Sequence, residues 1–323
     1  MNKTFVIPYF GKLPNYFQFF LDSAGLNTTF NWLIFTDDNT NYVFPINVQR
    51  IHMTFDECKL LIQSKFEFKL IINRPHKLCD FKPAYGYIFN EYLHNVDYWG
   101  YCDLDIIWGD LKKFYPNELI NEYDKLGVYG HFCLMKNNKE NNETFMNLYN
   151  GIYPYKIAFT QDKSLVFDEL HCKIGSINHI FKNLKKPYHH GNYCLNFSSV
   201  SLPFKETDFN GENYIIKPTS GIIASKENNA IFKYEIINNS IIKTEFAYLH
   251  IHKRPIEIEK NLSSQFFLIV PNKFISNVDN KQITIQFITK FAHKPLFDTL
   301  FIKRKLNNLR TKTKLVLGLK LTK

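Results

Sequence analysis

Residues 96–111, VDYWGYCDLDIIWGDL, read as a strand made for a protein interior, with Val96, Tyr98, Trp99, Tyr101, Ile106, Ile107 and Trp108 supplying the apolar bulk. Asp103 and Asp105 interrupt it two residues apart, the spacing at which side chains of an extended chain share a side. At an effective dielectric near 20 and a separation of ~5–6 Å, the two carboxylates repel by about 3 kcal/mol. A positive group is therefore expected between or in front of them.

The segments before this stretch alternate between the two regular structures. TFVIPYF, NWLIFTDD and VQRIHMT read as strands. LPNYFQFFLDSA has helical spacing at Leu13, Phe17, Phe20, Leu21 and Ala24, and TFDECKLLIQSKF opens with a capping-box pattern, Thr54 with Glu57. CDFKPAYGYIFNEYL reads as one more helix, with Asp80 as its cap and Pro83 in its first turn. Such alternation predicts an α/β fold, a mainly parallel sheet flanked by helices. Residues 210–252 read as a smaller antiparallel region, and QFFLIVP as a further strand. In open parallel sheets ligands bind beyond the carboxyl ends of the strands. Three polar clusters fall at such ends: Pro8 to Gly11, Thr36-Asp37-Asp38, and Asp103-Leu104-Asp105.

Composition narrows the function. The 323 residues are 45% hydrophobic and 22% charged, which is globular, and no apolar run approaches a membrane span. The net charge of +10 is uneven: residues 290–323 hold ten Lys or Arg against Asp298 alone, which is +9 and leaves +1 for the rest. A nearly neutral body argues against nucleic-acid binding. Six scattered cysteines without a C-x-x-C pair read as buried thiols, and no Walker A, G-x-G-x-x-G, G-x-S-x-G or H-E-x-x-H pattern occurs. The start lacks a signal-peptide core, so a cytoplasmic protein is expected.

Several side chains are candidates for chemistry, each with a plainer alternative. Asp103 and Asp105 suit Mg²⁺ or Mn²⁺, hard cations that take carboxylate oxygens and bridge to phosphates; the competing reading is a pair of acids capping a following helix. Lys77, Asp80 and Lys82 in HKLCDFKP could hold a phosphate or a carboxylate of the metal pair, or form a solvated first turn. In EFAYLHIHKRP, period-2 alternation aligns Phe246, Tyr248, His250 and His252, so the histidines are metal or diphosphate ligands, or core residues. Asp168 and Glu169 in LVFDEL are candidates for a general base, or a solvated acidic pair.

FVIPYFGKLPNYFQFFLDS, WLIFTDD, HKLCDFKPAYGYIF and YWGYCDLDIIWGDL together resemble bacterial and viral glycosyltransferases of the GT-A fold from polysaccharide and lipopolysaccharide clusters, a largely uncharacterised branch of them. The resemblance covers residues 4–115 well and 160–255 more loosely. It implies that Pro8, Tyr9 and Asp37 hold the base and ribose, that Asp105 is a direct metal ligand with Asp103 nearer the ribose, that the base lies near Asp168 and Glu169, and that His250 or His252 is a late metal ligand. It further implies a metal-dependent transfer from a nucleotide sugar, a UDP-sugar first, to a glycan or lipid-linked acceptor. The expected organisation is a catalytic domain over 1–260, nucleotide-binding over about 1–115 and acceptor-binding over about 116–260, then an extension over 261–323. The basic tail at 290–323 is expected to lie on an anionic membrane surface, making the protein peripheral on the cytoplasmic face. Two other classes compete: a nucleotidyl- or phosphotransferase using the same acids, and a non-catalytic sugar-binding protein.

Overall fold

Four parallel strands form the centre of the fold: β1 (Lys3–Pro8), β2 (Phe30–Thr36), β3 (Val48–His52) and β4 (Tyr98–Cys102). After β4 come β5 (Ile106–Trp108), β6 (Lys125–Tyr129), β7 (Phe132–Lys136), β8 (Tyr188–His189) and β9 (Cys194–Asn196). The large sheet runs β3-β2-β1-β4-β7-β6-β8, with β7 alone antiparallel. The chain is thus a mixed α/β protein built on a mainly parallel sheet flanked by helices, as its alternating pattern predicts. The computed structural model describes residues 1–198, 203–209, 214–252, 254–276 and 283–292. Most of the basic tail lies outside them, and with it the expectation of a membrane contact. Among the described residues no helix is long and apolar enough to cross a membrane.

The sheet's two faces are filled by alternate residues. Phe5, Trp32 and Tyr98 point to one side, where α1 (Phe17–Gly25) covers them with Phe17, Phe20, Leu21 and Ala24. Phe5 lies with its ring 5.6 Å from Trp32, 5.7 Å from Trp108 and 5.6 Å from Phe132, so four large aromatics fill one space. Val6, Phe35, Trp99 and Tyr101 point to the other side, against Cys58 and Ile62 of α2 (Phe55–Ser64). The capping box of α2 forms as its sequence indicates: Glu57 N donates to Thr54 Oγ1 at 3.2 Å, and Thr54 N to Glu57 Oε2 at 2.7 Å.

The helix expected over 79–93 is a correction. Residues Pro75–Ala84 wind as a 3₁₀ helix, Tyr85–Ile88 make a single α turn, and Asn90–Tyr92 a second 3₁₀ turn. Pro83 has no N–H to give, and the Asp80 carboxylate is engaged elsewhere, so neither starts an α-helix there. Lys82 consequently sits in the last turn of a 3₁₀ segment, and not in the first turn of an α-helix as the sequence suggests.

A second, six-stranded and mostly antiparallel sheet lies beside the first. A two-stranded ribbon, β10 (Thr207–Phe209) with β11 (Tyr214–Ile216), precedes it. Its strands are β12 (Ile222–Glu227), β13 (Ala230–Ile237), β14 (Ser240–Phe246), β16 (Glu257–Ile258), β17 (Phe266–Val270) and β18 (Lys273–Ser276), with β15 (Tyr248–His250) between β14 and β16 in sequence. Strand β15 leaves this sheet: it pairs antiparallel with β5 and parallel with β9. Ala247 is the single residue at the crossing, donating to Tyr193 O and accepting from Gly109 N.

Lys226 of β12 is buried at the seam, its Nζ donating to Trp108 O at 2.6 Å. Burial, only partly opposed by Asp110, pushes its pKa down to about 7 from 10.5. Between those values the unfolded chain binds the extra proton, so this group's contribution to stability grows as pH rises. Relative to Lys226→Met, the wild type is expected to gain up to ~1.4 kcal/mol per pH unit between pH 7 and 9. Denaturant melts of both proteins at several pH values check it; a stability difference that stays constant refutes it.

Candidate active site

The strand order 3-2-1-4 reverses direction between β1 and β4, and the crevice at such a switch point is where α/β sheets bind ligands. A cleft of about 1000 Å³ opens there, lined by Pro8 at the end of β1, by Tyr9 just past it, and by Asp103 and Asp105 after β4. That is the upper end of the range for a pocket holding one small molecule. The chain leaves the large sheet at Asp103 and enters the second pairing at Ile106, so the two acids occupy a bend. The straight strand assumed from their spacing is corrected, but the bend still brings their carboxylates together.

His250 completes a group with them: one ligand atom from each of Asp103, Asp105 and His250 lies within 4.8 Å of the others. Nδ1 of His250 faces Asn196 Oδ1 at 2.9 Å, which favours the proton on Nδ1. Nε2 then turns its lone pair toward Asp105 Oδ1, 3.3 Å away. Two acceptors at that distance oppose each other unless a cation or a proton lies between them. The donor set, two carboxylates and an imidazole whose other nitrogen is fixed, fits a divalent ion. His252, offered by period-2 alternation as a further ligand, is outside this group. Its φ of +62° ends the alternation, and its Nδ1 faces Phe197 O at 3.1 Å. Burial and the neighbouring His250 push its pKa down to about 4.

Lys82 is the cation in front of the acids. Its Nζ donates to Asp103 Oδ1 at 2.7 Å and to Gly130 O at 2.7 Å, and lies 3.3 Å from Asp168 Oδ2. Burial works against its charge, but Asp103 and Asp168 more than offset that and hold its pKa well above the ordinary value. Asp168 is 2% exposed, and its Oδ1 has no hydrogen-bond partner among the described residues. Burial raises its pKa to about 7, with Lys82 opposing and Glu169 and Asp103 adding to the rise. Glu169 stands beside it on the cleft wall. Gly130 makes room for both acids, since a Cβ there would run into their carboxylates.

Three expected ligand-binding residues are placed elsewhere. Lys77 and Asp80 are fully buried behind the cleft wall and bind each other at 2.7 Å. The HKLCDFKP segment turns as a 3₁₀ helix, which points these two inward and Lys82 outward. Asp37 accepts from Gly11 N at 2.7 Å and Asp38 from Leu13 N at 2.8 Å, so the acids after β2 shape the β1–α1 loop and do not line the cleft.

One contributor had no sequence signal strong enough to single it out. His131, at the tip of the β6–β7 hairpin, stacks on His250 with ring centroids 4.1 Å apart. Its Nδ1 is 3.4 Å from Tyr248 Oη and its buried Nε2 has no partner among the described residues. Burial, then His250, His252 and Lys82, push its pKa well below the ordinary value, so it is neutral. Only a Gly-His pair between two apolar strands marks it in the sequence.

Fold and cleft together define an α/β protein with an acid–imidazole cluster at a sheet switch point. The chain belongs to a family of unknown function, DUF6625, whose profile matches residues 5–278. No curated protein matches it. Among solved structures it is similar to the galactosyltransferase LgtC in complex with donor and acceptor sugar analogs, at 10% identity over 61% of this chain and 75% of that one, TM-score 0.33. It is also similar to the glycosyltransferase GlyE of Streptococcus pneumoniae TIGR4, at 16% identity over 59% of this chain and 45% of that one, TM-score 0.30.

Proposed function

We propose that the protein is a metal-dependent glycosyltransferase that moves a sugar from a nucleotide-sugar donor, a UDP-sugar first, to a glycan or lipid-linked acceptor. The observation that carries this reading is one cleft with two poles joined through the Lys82 amine: the Asp103–Asp105–His250 cluster and the buried carboxylate of Asp168. A group-transfer enzyme of this kind needs both, one pole for the departing diphosphate and one for the incoming hydroxyl.

Asp103, Asp105 and His250 would hold Mn²⁺ or Mg²⁺, which when bound supplies the positive charge that stabilises a diphosphate leaving group. Asn196 keeps His250 in the tautomer that presents Nε2. Tyr9 and Pro8 wall the β1 side of the cleft, where the nucleotide would lie. Lys82 fixes Asp103 and keeps a positive charge beside Asp168, so that Asp168 can ionise near neutral pH despite its burial. Asp168, with its Oδ1 uncommitted, takes the proton from the acceptor hydroxyl as that oxygen attacks the anomeric carbon. Glu169 stands next to it as a second carboxylate for acceptor hydroxyls. Donor binding is assigned mainly to the 1–115 side, joined there by His250 and Asn196, and acceptor binding to the rest of the 116–260 side.

A thermal-shift panel of UDP-, GDP- and CMP-sugars with and without Mn²⁺ tests this. One UDP-sugar with Mn²⁺ is expected to raise Tm by about 4 °C at a hundredfold excess over Kd, beyond either component alone. Stabilisation by nucleoside triphosphates only would move the reading to a nucleotidyl- or phosphotransferase, and no stabilisation by any nucleotide would end it.

A further inference from the structure

Asp168 is carried by a stretch that has no ladder or helix of its own. Residues 163–169 are irregular, yet their backbone is held at several points by one buried ion pair. The Asp80 carboxylate accepts from Leu165 N at 3.0 Å, from Phe167 N at 3.1 Å and from Ser164 Oγ at 3.3 Å. Lys77 Nζ, 2.7 Å from Asp80, also donates to Ala158 O at 2.7 Å and to Lys163 O at 2.9 Å. Between the two amides bound by Asp80 lies Val166, with φ +53°. A β-branched residue takes that left-handed conformation only when its surroundings force it. The turn closes with Glu169 N on Val166 O at 2.9 Å and delivers Asp168 to the cleft beside Lys82.

We propose that Lys77 and Asp80 are positioning residues for Asp168, holding the 163–167 strap in a strained turn that aims the Asp168 carboxylate at the acceptor. This rests on the reading of Asp168 as the base. Stability alone does not explain the pair, because replacing a buried ion pair by apolar residues of similar volume is often neutral or favourable. What an apolar pair could not do is accept from two amides of a loop and fix its path. Removing one oxygen or one ammonium loosens the strap, and the carboxylate three residues past Leu165 loses its aim while the Asp103–Asp105–His250 cluster, on the β4–β5 bend and β15, stays as it was.

Two double variants with the same charge separate these roles. Lys77→Met/Asp80→Leu strips the amide contacts, and Lys77→Met/Asp80→Asn keeps one acceptor oxygen for them. Isothermal titration with Mn²⁺ and UDP is expected to give affinities within about twofold of wild type for both, since the strap does not touch that cluster. UDP release from the UDP-sugar that stabilises the wild type is expected to fall ~10–100-fold in the Leu variant, in kcat and not in KM, with partial recovery in the Asn variant. Titration of the Asp168 carboxyl carbon by NMR, which needs no substrate, is expected to give midpoints differing by about one unit between the two variants. Equal turnover and equal midpoints in the two variants overturn the proposal, whatever common offset from wild type the lost Asp80 charge produces. If the wild type releases UDP from no sugar nucleotide, the proposed function fails, and the NMR midpoints still decide the positioning role. Should the Leu variant not fold, Lys77→Met/Asp80→Ala, of the same charge and smaller bulk, takes its place against the Asn variant: midpoints that differ support the strap, and equal ones sink it.

Discussion

Asp105→Asn is expected to abolish the Mn²⁺-dependent part of nucleotide binding and to lower turnover by ~10³-fold or more. The side chain is 4% exposed and Asn has its size, so packing is preserved and only the charge and one anionic oxygen are lost. Two carboxylates and an imidazole become one carboxylate and an imidazole, too weak a set for a hard divalent ion. The sign of the stability change separates this from a folding defect. In the ion-free protein Asp103 and Asp105 repel, by about 3 kcal/mol at ~5 Å and an effective dielectric of 20. Removing one charge therefore holds or raises the ion-free Tm while the increment on adding Mn²⁺ disappears. An Asp105→Asn protein that still gains Tm with Mn²⁺ and UDP would show that the ion, if any, is held elsewhere.

Asp168→Asn has the second largest expected effect, a loss of ~10²–10⁴-fold in transfer with donor and Mn²⁺ binding retained. A base works only when ionised. With its pKa raised to about 7, mostly by burial, Asp168 loses activity as pH falls below 7, about tenfold per unit, and reaches a plateau above pH 8. The Asn variant's residual rate should be flat across the same range. Lys82 keeps two of its three partners in that variant, Asp103 and Gly130 O, so the metal side of the cleft is not expected to move. Transfer above a tenth of wild type, or an unchanged slope below pH 7, would remove Asp168 from the role.

Much of the fold was legible because the signals were local. The strands β1, β2 and β4 announce themselves by unbroken apolar runs, and α2 by Thr54 and Glu57, whose capping bonds depend on residues three apart. The acids at 103 and 105 stood out because charge is rare in such a run. What stayed hidden was decided at long range. Whether Lys77 and Asp80 face a ligand or the interior depends on carbonyls and amides at 158–167, some eighty residues away. Asp168 looks like one of two surface acids until the Lys82 amine and a glycine at 130 are folded against it. His252 kept the strand's period in the sequence but lost it to a positive φ.

The crossing at Ala247 bears on which ion the proposed metal site would hold. His250 follows it by three residues, on a strand bonded along both edges to β5 and β9 and anchored behind to β13 through β14. Such a mounting leaves the imidazole little freedom to follow ions of different radius. Selection by size should then be sharp, with Ca²⁺, which wants longer bonds and more oxygens, excluded by the stiffness of the scaffold and not by weak attraction.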